Sequence, residues 1–302
     1  MIQAIRPNNE TILVTLMLAN NESGSLQPVR EVALACREKG VLFHTDAAQA
    51  IGKVNLSMEM DEGEINDNGT VIYEGIGPGV DMVTIVGHKF GTPKGIAALY
   101  VRPGCLLDHD RIEPPTYGTT GVLLVGGGQE SGVRSGTENV AYAVGMGYAC
   151  EKLMSMTNTK KSKSAPLRRW QKNALHMEEM RTRLLNNLQE ELGEENVKPN
   201  GPKDPSKRLP NTLSVGLKHV QSGELLKRIQ MHVACSAGSA CHASGGALSP
   251  VLMAMNVPIE FAQGTLRISV GPGTTKEEID QASIIIANEA RKQIRNYKKR
   301  IG

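Results

Sequence analysis

The sequence lacks several features that would have fixed its class at once. There is almost no excess charge: the formal net charge is +3, too small to argue for a nucleic-acid or membrane partner. The five cysteines (Cys36, Cys105, Cys150, Cys235, Cys241) are scattered and odd in number. No pair has CxxC spacing, so no disulfide framework and no zinc or other metal site is expected. A reducing, cytoplasmic setting is the expectation that follows. No apolar run reaches transmembrane length, and the first residues have no signal-peptide pattern. Aromatic residues are scarce at 3%, while glycine is abundant at 32 residues. That balance points to many tight backbone turns, as in ligand-binding α/β proteins. Hydrophobic content of 40% and charged content of 22% over 302 residues fit a soluble globular protein with a large core, divided into two domains.

The strongest local pattern is Met82-Val83-Thr84-Ile85-Val86 followed by Gly87-His88-Lys89-Phe90-Gly91. The apolar run predicts a buried strand. Gly91, Pro93 and Gly95 turn the chain, and Ile96 to Val101 predicts a second strand. Lys89 then lies just past a strand end, where open α/β sheets place their ligand chemistry. Earlier in the chain, Thr11 to Leu18 predicts a strand. A helix from Pro28 carries Val29, Val32, Ala33 and Cys36 at core-facing spacing. Val41 to Thr45 forms the next strand, with Asp46 and Gln49 at its end. Strand, helix and strand at this length make a βαβ unit and a parallel sheet.

Residues 59–79 read as an acidic surface insertion with a hairpin signal at Asn68-Gly69. A helix is expected from Val140 to Leu153, a basic linker over 157–164, and an amphipathic helix over Met177 to Leu192. The tail reads as α+β, with strands at Thr212–Val215, Val233–Cys235 and Leu266–Val270 and a capping box at Thr275–Glu278 that opens the last helix.

Taken singly, Lys89 is a loop lysine, Asp46 a helix cap and Arg267 a strand-edge residue. Their company changes the reading. Asn20-Asn21-Glu22-Ser23-Gly24, His44-Thr45-Asp46-Ala47-Ala48-Gln49, Val86-Gly87-His88-Lys89, Gly126-Gly127-Gly128-Gln129-Glu130 and Arg134-Ser135-Gly136-Thr137-Glu138-Asn139 occur in that order. Together they resemble the cysteine desulfurase and selenocysteine lyase family, fold-type I enzymes of the class V aminotransferase kind. The resemblance implies an α/β fold: the large domain of a fold-type I PLP-dependent transferase with a mainly parallel sheet, lacking about its N-terminal third, plus a smaller α+β C-terminal domain. The expected boundaries are 1–156 for the partial cofactor-binding domain, 157–210 for a linker and connecting helix, and 211–302 for the small domain.

The same resemblance implies pyridoxal 5'-phosphate (PLP) as cofactor. Lys89 would be its Schiff-base lysine and the proton shuttle, and His88 would lie by the phosphate. Asp46 would pair with the pyridine nitrogen, and Gln49 and Asn21 would bond the phenolic oxygen. Thr137 would reach the phosphate of a neighbouring subunit in a homodimer. Arg267, with Asn21 beside it, would bind the carboxylate of a small amino-acid substrate. Cys241, in Ser236-Ala237-Gly238-Ser239-Ala240-Cys241-His242, would be the catalytic thiol that passes sulfur or selenium to an acceptor. Gly87, Cys241-His242, Ser249-Pro250 and Asn256-Val257-Pro258 place selenocysteine lyase first and cysteine desulfurase second. A non-catalytic fragment that only dimerises or binds is the alternative from a different class.

Overall fold

Four strands form the first sheet, in the order β1-β2-β3-β4. They are β1 (Leu13–Met17), β2 (Leu42–Asp46), β3 (Met82–Val86) and β4 (Ala97–Val101). β1, β2 and β3 run parallel, and β4 returns antiparallel on β3. The structure, a computed structural model, describes residues 1–7, 10–59, 74–105, 124–157, 167–237 and 248–301. The Asn68-Gly69 hairpin signal, the basic stretch 158–166 and Cys241 lie outside the described residues.

The helix between β1 and β2, α1 (Val29–Glu38), buries Val29, Val32, Ala33 and Cys36, the four residues its spacing selects. They pack with Phe43, Ala47, Ala50, Val80 and Val83 in one core. Burial alternates along β2: Phe43 and Thr45 face this core, while Leu42, His44 and Asp46 occupy the opposite face. On that second face Leu13, Thr15 and Met17 of β1 are exposed. The next helix, α2 (Val140–Met154), is rich in apolar residues yet buries none, and Val140, Val144 and Tyr148 are exposed at four-residue spacing.

The second unit has its own antiparallel sheet, in the order β5-β6-β8-β7. Its strands are β5 (Val197–Pro199), β6 (Thr212–Leu217), β7 (Ser236–Ala237) and β8 (Thr265–Ser269). The strand expected at Val233–Cys235 forms slightly later, as β7. The helices are α3 (Arg169–Leu192), α4 (Ser222–Ile229), α5 (Pro250–Ala254), α6 (Ile259–Ala262) and α7 (Lys276–Ile301). The stretch expected as linker and connecting helix, 157–210, therefore contains more than a connection. α3 buries Ala174, Met177, Met180, Leu184 and Leu188 on one stripe, and the last four pack with Ile279, Ile286 and Ile294 of α7. β5 pairs with β6. Both elements belong to the C-terminal core, because an amphipathic helix with so wide an apolar stripe must bury it. The expected capping box opens α7: the Thr275 N–H donates to Glu278 and the Glu278 N–H to the Thr275 hydroxyl.

The two units meet along residues 20–26 and 207–212. Leu26 N–H donates to the Lys207 carbonyl and Leu209 N–H to the Gly24 carbonyl, at 2.9 and 2.7 Å. Gly24, at φ +73°, sits so close to Thr212 that a Cβ there would lie 3.1 Å from the Thr212 Cβ.

Candidate active site

Three parallel strands end side by side. In register, Met17 pairs with Asp46 and Asp46 with Thr84. Asn21 follows β1, Asp46 and Gln49 follow β2, and His88 and Lys89 follow β3 in a short 3-10 turn, Gly87–Lys89. The sheet topology thus brings the expected cofactor residues Asn21, Asp46, Gln49, His88 and Lys89 to one edge, the carboxyl edge of the parallel strands. Asp46, His88 and Lys89 are exposed there.

The β3 turn is tightly built. Gly87 N–H donates to the Ile96 carbonyl, and Phe90 and Thr92 N–H groups both donate to the Gly87 carbonyl. A Cβ on Gly87 would lie 2.1 Å from the Thr92 hydroxyl oxygen and 2.7 Å from the Ile96 Cγ2, so this turn has no room for a side chain. Below it, the base of β3 is clamped. Buried Asp81 accepts from the Phe43 N–H at 2.8 Å and from the Arg102 guanidinium just beyond β4. The same contact holds Arg102 above its usual range.

Asp46 is oriented by its own loop: the Ala48 N–H donates to its Oδ1 at 2.8 Å. One row below, His44 bridges three strands. Its Nδ1 is 2.7 Å from the Thr15 hydroxyl and its Nε2 is 2.8 Å from the Thr84 hydroxyl. Burial lowers the His44 pKa, against a smaller opposite effect of Asp46, so a neutral ring held by two hydroxyls is the consistent state.

From the second unit, Arg267 on β8 reaches this edge. Its Nη1 donates to the Asn21 carbonyl at 2.9 Å and its Nε to the Ser236 hydroxyl at 3.1 Å. Asn21 itself projects from a loop knotted by Asn20, whose Oδ1 accepts from the N–H groups of Glu22 and Ser23. Thr137 is exposed in the segment before α2 and, among the described residues, makes no hydrogen bond to the strand-end cluster. Arg134 in that segment is engaged locally, with Glu130 at 2.7 Å and the Gly136 carbonyl at 3.1 Å.

Two residues with close links to this edge carry no mark in the sequence reading. Lys53 is buried and donates to the carbonyls of Gln49 and Lys89. Glu22 is buried and accepts from Ser249 of the second unit. A lysine inside the apolar run Ala50 to Val54 was the available signal for the first. The second had none beyond its place next to Asn21.

The donor set fits PLP. A carboxylate and a primary amine on neighbouring strand ends match a pyridine nitrogen and an aldehyde, and the Gln49 amide adds a neutral donor. Lys89, Asp46, Gln49 and His88 are the residues that would hold the group.

The class V aminotransferase family model matches residues 1–62 and 77–282. The cysteine desulfurase IscS of Clostridium botulinum is 35% identical over 273 residues, which is 90% of this chain and 57% of that protein. A probable mitochondrial cysteine desulfurase of Dictyostelium discoideum is 36% identical over 271 residues, covering 90% of this chain and 50% of that protein. Among solved structures, a NifS-like protein superimposes with a TM-score of 0.68 at 30% identity, covering 95% of this chain and 62% of that one. The NifS-like protein of Rickettsia africae gives 0.63 at 27% identity, covering 93% and 62%. The chain spans about half to three fifths of the length of these relatives. Its α/β architecture is that of the NifS-like enzymes, and the chain belongs to the class V aminotransferase family, whose cofactor is PLP.

Proposed function

We propose that this chain carries the cofactor-lysine and substrate-arginine portion of a PLP-dependent cysteine desulfurase. The observation that supports it best is the meeting of Arg267 with Asn21, which brings a second-unit guanidinium to the strand edge that holds Asp46 and Lys89. The sequence reading put selenocysteine lyase first. The relatives are named cysteine desulfurases, and that reverses the order: cysteine is the better-supported substrate and selenocysteine the second.

The bound cofactor would supply an electron sink for negative charge at the substrate α-carbon. The chain's own residues supply the rest. Lys89, exposed at the end of its turn, would offer the amine that holds the cofactor aldehyde and would carry a proton to and from the substrate Cα. Asp46, whose Oδ1 accepts from the Ala48 N–H, would use its second oxygen to hold a proton on the ring nitrogen. Gln49 would donate to the phenolic oxygen, and His88 would lie by the phosphate. Arg267 offers Nη2, which makes no hydrogen bond among the described residues, to the substrate carboxylate. The Cys241 thiolate would attack the substrate sulfur; the Cβ–S bond breaks, its electron pair stays with the carbon skeleton that is protonated and leaves as alanine, and the persulfide's outer sulfur passes to an acceptor. Thr137 serves the site of a second subunit in a homodimer, and the free thiols Cys36, Cys105, Cys150 and Cys235 accord with a reducing, cytoplasmic setting.

The test is to add PLP to the purified chain and record its absorbance, then to measure alanine released from cysteine and from selenocysteine. The expected result is a cofactor band that disappears in Lys89→Ala, with turnover of cysteine. Turnover of selenocysteine alone would restore the lyase. A protein that stays colourless would support the non-catalytic reading.

A further inference from the structure

Lys53 follows Gln49 by one helical turn. The segment after β2 is wound tightly: Ala50 and Ile51 N–H groups donate to the Ala47 carbonyl, and Lys53 and Val54 N–H groups to the Ala50 carbonyl. This winding brings the Lys53 ammonium to the Gln49 carbonyl at 3.0 Å. The same nitrogen lies 3.3 Å from the Lys89 carbonyl, 36 residues further along the chain. Lys53 is only 8% exposed, and among the described residues no carboxylate pairs with it. Gly52, at φ +72°, lets the neighbouring chain close in: a Cβ there would be 3.0 Å from Leu153 of α2 and 3.6 Å from the Phe90 Cβ.

A lysine held this way is costly. Burial pushes its pKa down to about 8, with the charge of Lys89 adding to the effect. An apolar side chain would fill the space without that cost. It would also leave two carbonyls without their donor.

We propose that Lys53 is a positioning residue that ties the Gln49 turn to the Lys89 turn and so sets where the Lys89 side chain leaves the sheet edge. The proposal rests on the reading of Gln49 and Lys89 as cofactor residues, but the tie itself is testable without cofactor. It differs from general core packing in one respect: among the described residues it is the one side-chain hydrogen bond that joins these two turns, so removing it loosens both together.

The experiment compares the full chain with Lys53→Met, which keeps the apolar stem and removes the donors, and Lys53→Arg, which keeps donors and charge. Amide hydrogen exchange is followed by mass spectrometry over 47–54, 87–92 and, as a control, 29–38 in α1. In Lys53→Met the first two segments should exchange about tenfold faster while α1 is unchanged. Lys53→Arg should recover most of the protection. Unchanged exchange over 87–92 in Lys53→Met, or equal loosening of α1, would overturn the proposal. If Lys53→Met does not purify folded, Lys53→Gln, with its one amide donor, is judged by the same criterion. A parallel PLP titration should show weaker binding in Lys53→Met and recovery in Lys53→Arg. A wild-type chain that forms no Lys89-dependent band would defeat the functional reading alone, because the exchange result still decides the tie.

Discussion

Glu22 and Ser249 lie 227 residues apart in the chain and 2.6 Å apart in the fold, the serine hydroxyl donating to the glutamate carboxylate. Both are buried. Ser249 also caps α5, accepting from the N–H groups of Val251 and Leu252. The pair therefore fastens the loop next to Asn21 to the start of a helix in the other unit. Glu22→Ala should cost about 2 kcal/mol and Ser249→Ala somewhat less, with a coupling of about 1–2 kcal/mol in the double variant. Denaturant unfolding of the four proteins measures this; additive losses would mean that the two side chains do not depend on each other.

Asp81 governs the base of the lysine strand. It is buried and satisfies both the Phe43 N–H and Arg102. Asp81→Leu should destabilise the protein by about 3 kcal/mol, since it leaves a backbone donor and a guanidinium without their acceptor. Urea unfolding at neutral pH is the measurement, and a loss under about 0.5 kcal/mol, the range of ordinary surface changes, would contradict the clamp.

The buried Lys53 predicts a pH dependence. Its pKa falls from 10.5 in a free side chain to about 8 in the fold. Between those values the unfolded chain binds the proton and the folded chain does not, so folding stability rises with pH from about 8 to about 10.5. The ceiling for this contribution is about 3 kcal/mol. The difference in stability between wild type and Lys53→Met should follow that slope, and in Lys89→Met the slope should shrink without vanishing, because burial is the larger cause. A pH-independent difference would show that Lys53 stays charged in the folded chain.

Cys235 packs at the margin of the C-terminal core, and burial pushes its thiol pKa up to about 11. Almost none of it is thiolate at neutral pH, which makes it a poor nucleophile. After incubation with cysteine, Cys235→Ala should still gain the mass of one sulfur and Cys241→Ala should not. A persulfide retained in Cys241→Ala would move the nucleophile to Cys235.

Much of this was legible in residue order because the signals are local. The spacing of Val29, Val32, Ala33 and Cys36 marks a helix face, and the pair Thr275 and Glu278 marks a helix start. The polar residues after three apolar runs could be placed at strand ends, and parallel pairing then brings those ends together. What escaped depends on contacts across the chain. The reach of Lys53 to the Lys89 carbonyl, of Glu22 to Ser249 and of Arg267 to Asn21 follows from sheet order and the docking of two units, which no local period encodes. The amphipathic pattern of Met177 to Leu192 marks a helix but not its partner, and it is the apolar stripe of α3 that binds it to α7.

Leu209 gives the two cores a common fate. It is fully buried among Val29, Phe43 and their neighbours in the first unit, while its carbonyl is held at 2.9 Å by Arg181 of α3 in the second. A side chain in one hydrophobic cluster and a backbone bonded to the other acts as a thermodynamic coupling pin. Heat that loosens either cluster is felt by both, so the chain should absorb it in a single calorimetric transition. Shortening this one leucine would let the two clusters melt at separate temperatures.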